Sequence, residues 1–181
     1  MPCKNCGNDK TIRAHLIPKV FCKQIQLGNS PATQVGLNGD FKVSQSGLWD
    51  DSILCTECDN KLGALENYAH KVFSVIRTYG SEKPGASKAV DGVDCTVILR
   101  FCAALLYKFS ITKPERGRIR LGRYQEMCRD TAFGNQSIPE EIDAFAFRPI
   151  RYARDAEVFA YRAPSPDRKH RINLYRFMIG G

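Results

Sequence analysis

Cys3 and Cys6 in "CKNC" and Cys55 and Cys58 in "CTEC" are the residues whose type and spacing point most directly to chemistry. Each C-x2-C pair sets two thiolates on one tight turn, and two pairs supply the four sulfurs of a closed tetrahedral zinc site. The chain has eight cysteines, and the other four, Cys22, Cys95, Cys102 and Cys128, stand alone. "MPCKNCGNDK" lacks the apolar run of a secretory signal, so the expected setting is reducing, and metal ligation or burial explains the thiols better than a disulfide framework. Thiol redox chemistry at the pairs would call for a βαβ context, which neither pair has.

Between the pairs lies "RAHLIPK", in which His15 opens a short extended run closed by Pro18. After the second pair a helix is expected, with Leu62, Leu65, Ala69, Val72, Phe73 and Ile76 as its apolar stripe. At 100° per residue, Asp59, Glu66 and His70 fall within about 40° of one another beside that stripe. Carboxylates suit magnesium or manganese, and an added imidazole shifts preference toward manganese, zinc or nickel. Asp59 to His70 spans about 16 Å of helix axis, too far for one ion to touch all three. Glu66 and His70 equally suit an i, i+4 hydrogen bond on a helix surface, and Asp59 suits a helix N-terminus.

The elements that must position these residues form two regions. Residues 1–78 hold both cysteine pairs and a Gly, Asn and Ser-rich stretch from 28 to 47. "YGSEKPGAS" (79–87) reads as a loop or linker, and residues 88–181 form a basic helical and β-sheet region packing on or extending the first. In it, "DCTVILRFCAALLYKFS" predicts a buried helix with Asp94 as N-cap, its Cys95 and Cys102 being small core residues. Residues 118–132 predict a more exposed helix, or one broken at Gly122. "AFAFRPI", "EVFAYRA" and "RINLYRFMI" predict a small antiparallel sheet, with turn residues in "SPDRKH". The chain stops right after an apolar strand, the pattern of a longer protein cut short. No stretch reaches the ~18 apolar residues of a membrane span, so a soluble, cytoplasmic protein is expected.

Formal charge is +8, and thirteen of the fifteen arginines lie in the second half. Arginine's planar fork matches phosphate, so the bias points to a nucleic-acid partner, with a solvated basic face as the equal alternative. Lys113, Arg116, Arg118, Arg120, Arg123 and Arg129 are the best phosphate-contacting candidates.

In order and spacing, "CKNC", "HLIPK", "ILCTECDNKL" and Glu66 resemble the HNH endonuclease family, in the branch that carries H-x-x-P between two C-x2-C knuckles. The resemblance covers residues 3 to 73. It implies an α+β fold in which a zinc-braced ββα-metal module is followed by the buried helix, the basic helix and the sheet. It further implies that His15 acts as general base on a water attacking phosphorus, while a magnesium or manganese ion, held by Asp59 with Asp50 or Asp51 as partner, neutralises the developing charge. DNA would be the substrate, in a bacterial or phage defence or mobile-element setting, with a protein partner subunit able to supply specificity. Three positions depart from the family: Ala14 stands where an acidic ligand is common, Asp50 at the asparagine position, and Asp59 at the final histidine. These departures support an alternative, a degenerate module that keeps the zinc-braced fold and binds nucleic acid or protein without cleaving.

Overall fold

The computed structural model describes residues 1–24, 32–35, 41–44, 47–78, 87–147 and 161–179. In chain order the elements are β1 (Ala14–His15), α1 (Lys19–Gln24), β2 (Ala32–Val35), β3 (Phe41–Ser44), β4 (Trp49–Asp50), α2 (Thr56–Thr78), α3 (Cys95–Ile111), a 3-10 turn (Pro114–Arg116), α4 (Tyr124–Phe133), β5 (Tyr161–Lys169) and β6 (Ile172–Ile179). The chain mixes helices with antiparallel pairs β1–β4, β2–β3 and β5–β6. Among the described residues, no helix is long and apolar enough to cross a membrane.

The first knuckle closes through Gly7 N–H donating to the Cys3 carbonyl at 2.9 Å, with Gly7 at φ +76°. Lys4 N–H then donates to Ile53 O and Ile12 N–H to Leu54 O, which draws the approach to the second knuckle alongside the first. In the ribbon that follows, Ala14 pairs with Asp50 and His15 with Trp49. Directly opposed residues share a face. Ala14 and Asp50 are buried on one side, so His15 and Trp49, both half-buried, take the other.

Pro18 ends the ribbon strand, and its carbonyl receives Phe21 N–H and Cys22 N–H, starting α1, a helix the apolar pattern did not announce. Phe21 meets Phe101 at 5.8 Å and Phe73 at 6.1 Å between ring centroids, and these three rings join α1, α2 and α3. Each buried ring contributes about 1.5–3 kcal/mol. Cys22 also closes on Gly47, which sits at φ +82°; a β-carbon there would overlap the Cys22 sulfur. Gly47→Ala is therefore expected to cost at least about 2 kcal/mol through overpacking and left-handed strain. Adding Cys22→Ala should return the overpacking part, as read by urea unfolding of the single and double variants.

α2 buries Cys58, Leu62 and Ala69, and α3 is apolar nearly all round. Asp94 caps α3 as expected, accepting from Thr96 N–H at 2.9 Å and Val97 N–H at 3.3 Å. One hydrophobic core runs from Cys3 to Ala132, so the two regions of the chain share it. Cys102 packs against that core, and burial pushes its thiol up to about 12. Cys95, expected beside it, is exposed because it lies in the first turn of α3, before the helix becomes buried.

Three further expectations change in the C-terminal region. The basic helix begins at Tyr124, after Gly122 at φ +56°, rather than at residue 118. Only the last residue of "SPDRKH" turns: Ser165 to Lys169 belong to β5, and the chain reverses at His170 and Arg171, at φ +50° and +66°. Two consecutive positive φ angles are the geometry of a two-residue hairpin turn, which usually announces itself by Asn or Gly. Pro164 and Pro166 are tolerated because both strands of a two-stranded ribbon are edges. Residues 144–147 form no strand; 148–150, 157–160 and the expected loop at 79–86 lie outside the described residues.

Candidate metal centre and the seam beside it

The Sγ atoms of Cys3, Cys6, Cys55 and Cys58 all lie within 4.8 Å of one another. Cys6 and Cys55 are 3.6 Å apart. A tetrahedron with zinc–sulfur bonds of 2.3 Å has edges of about 3.8 Å, so the donor set fits one such ion. Cys3, Cys55 and Cys58 are buried, Cys6 is exposed, and Asn5 Nδ2 donates to the Cys58 sulfur at 3.2 Å. An ion held by all four sulfurs would have no open position for water, the shell of a structural rather than a catalytic site. It is held from behind: Tyr107 donates its hydroxyl to Lys4 O at 3.0 Å, and burial pushes that hydroxyl up to about 12.

Beside the centre runs a polar seam between the ribbon and α2. Lys108, 1% exposed, reaches in from α3 and donates from Nζ to His15 O and to Glu66 Oε1, both at 2.6 Å. His15 Nε2 is shielded from solvent. Asp59 is half-buried near the same ammonium: burial pushes its carboxyl up, the charge of Lys108 draws it down, and Glu66 adds to the upward push. His15, Glu66 and Asp59 thus share one charged neighbour, Lys108. A buried ammonium persists only when paired, and here a carboxylate and a carbonyl pair it.

Asp50 lies on the other face of the ribbon. Its Oδ1 accepts from Ser52 N–H at 2.8 Å and Ser52 Oγ at 2.6 Å, and its Oδ2 from Thr112 Oγ1 at 2.6 Å and Lys113 N–H at 3.0 Å. Both oxygens are occupied, and the carboxylate fastens the ribbon to the end of α3. Burial alone would push it up, but these donors outweigh burial and hold it at about 2, below the ordinary 3.8. A carboxyl lowered on folding contributes stability that is present above the ordinary value and is lost as pH falls toward the folded one. Asp50→Asn is expected to cost about 2 kcal/mol at pH 7. The gap between variant and wild type should close below about pH 4 in pH-dependent urea melts.

Asp51 is exposed and pairs with Lys113 at 2.8 Å. His70 sets its ring edge-on to Phe21 at 5.5 Å, at the rim of the aromatic cluster. Among the described residues, no group of three or more Cys, His, Asp or Glu side chains other than the four cysteines converges closely enough to hold an ion.

The basic candidates separate by what they touch. Arg129 is engaged by Asp130 through Nε at 2.9 Å. Arg116 lies over the Trp49 ring at 5.3 Å, and Arg123 over Tyr124 at 5.0 Å. Arg118 and Arg120 are exposed on the extended stretch that leads to α4. Lys108 and Arg13 escaped the sequence reading. A lone lysine in the apolar run that follows Arg100 was the signal for the first, since a charge on a buried face requires a partner.

Comparison with protein-family models, with curated proteins and with solved structures gives no significant match.

Proposed function

We propose that this chain is a zinc-braced, HNH-like module that binds nucleic acid, with the Lys108 ammonium in place of the family's catalytic cation. The observation that carries this reading is the bridge from Lys108 Nζ to His15 O and Glu66 Oε1, each 2.6 Å away. A fixed ammonium neutralises the seam's carboxylates, but it has no open coordination position on which to activate water. Asp50, at the family's asparagine position, is committed to four donors on the opposite face of the ribbon. If zinc fills the four-cysteine centre, its role is to hold ribbon and helix together. The arginine excess supplies sequence-independent attraction to phosphates.

The metal-dependent endonuclease is the second reading, favoured by one observation: His15, Glu66 and Asp59 do gather around Lys108. One set of assays separates the two. Wild type and His15→Ala are tested for salt-dependent binding to a DNA duplex and for plasmid nicking with added magnesium or manganese. The expected result is salt-sensitive binding by both proteins and nicking by neither. Nicking by wild type that disappears in His15→Ala would replace the first reading with the second.

A further inference from the structure

We propose that Arg13, Trp49 and Arg116 form a phosphate clamp on the half-exposed face of the β1–β4 ribbon, an assignment that rests on the nucleic-acid reading above and specifies where the backbone is gripped. Arg13 lies over the Trp49 ring at 4.6 Å and Arg116 over the same ring at 5.3 Å. The first comes from the segment entering the ribbon and the second from the turn after α3, so the fold brings them together across a hundred residues of chain. Strand alternation sets Arg13 on the face of His15, and Trp49 is the cross-strand partner of His15.

Stacking a guanidinium on an indole holds its plane and leaves its N–H edges free to donate in parallel to phosphate oxygens. Among the described residues neither arginine has a carboxylate partner. Lys113, the nearest lysine in sequence to Arg116, is already paired with Asp51. Arg116 Nε is buried and has no hydrogen-bond acceptor among the described residues. With two cations already on its ring, Trp49 serves as an orienting platform rather than as a base-stacking surface, so the clamp reads phosphate and not base identity.

Trp49 is the only tryptophan in the chain, and its emission reports on the clamp directly. The full chain is titrated with inorganic pyrophosphate while that emission is read, and duplex binding is measured in parallel across a salt series. The proteins compared are wild type, Arg13→Gln/Arg116→Gln, Arg13→Lys/Arg116→Lys, and a control, Arg162→Gln/Arg171→Gln, on the exposed hairpin. Wild type and control should give a saturable change, and the Gln pair one about tenfold weaker or absent. The slope of log K against log salt should fall by about 1.8 in the Gln pair, for two lost phosphate contacts. The Lys pair should keep the slope but lose pyrophosphate affinity, because it retains the charge and not the fork; it also provides a readout if the Gln pair folds poorly. A wild type without a response, or a response equal in wild type and the Gln and Lys pairs, overturns the clamp. A clamp response without duplex binding supports the clamp and removes the nucleic-acid reading.

Discussion

Cys55→Ser is expected to lose the bound metal and, with it, the cooperative fold of the N-terminal region. Cys55 is buried, supplies one of the four converging sulfurs, and accepts Asp59 N–H at 3.0 Å at the start of α2. Structural zinc sites contribute on the order of 10–16 kcal/mol in small modules, as much as or more than the 5–15 kcal/mol by which most domains are stable. Ile53, Leu54 and Leu62 beside the knuckles are fully buried, so loosening the centre puts their burial at risk as well. The check is elemental analysis together with thermal melts of wild type, wild type with a zinc chelator, and Cys55→Ser. One equivalent of metal is expected in wild type, and well under half in the variant. A chain that purifies without metal, or that melts unchanged with chelator, would refute the centre.

Lys108→Met should have the next largest effect. It removes the cation shared by His15 O and Glu66 and leaves the Glu66 carboxylate, 18% exposed, unneutralised at the seam. Breaking a buried pair by removing one partner costs about 3–5 kcal/mol, because the other charge stays behind. For a chain of this size that corresponds to about 10 °C in melting temperature. Lys108→Met/Glu66→Leu removes both charges and should recover much of the loss, since an apolar replacement of a whole ion pair is often neutral. Additive losses in the double variant would show that the bridge is not a coupled unit. Lys108→Ala carries the functional question as well. If the ammonium fills a cation position, the shortened side chain should allow manganese to bind the seam, detectable as a second metal equivalent.

The metal centre was legible because its chemistry is local: two cysteines at fixed spacing declare their ligand role wherever the chain takes them. The Asp94 cap was legible for the same reason, since cap and recipient amides lie within three residues. Lys108 was opaque because its partners lie 42 and 93 positions away, and no window of sequence contains both. Asp50 has donors on both sides of it, but the Thr112 and Lys113 pair comes from the far end of α3. The hairpin turn shows a different limit. The whole "SPDRKH" stretch has the composition of a turn, yet strand pairing runs through it to Lys169 and leaves the reversal to its last residue, His170, and Arg171, in a conformation usually left to Gly or Asn.

α3 fastens the N-terminal region at three points: Tyr107 to the first knuckle, Lys108 to the ribbon, and Thr112 to Asp50. During synthesis, therefore, the amino-terminal third leaves the ribosome long before the helix that completes it exists. In that interval all four sulfurs are already present, while the carboxylates and carbonyls destined for α3 stay solvated, so the cysteine cluster precedes its scaffold in synthesis.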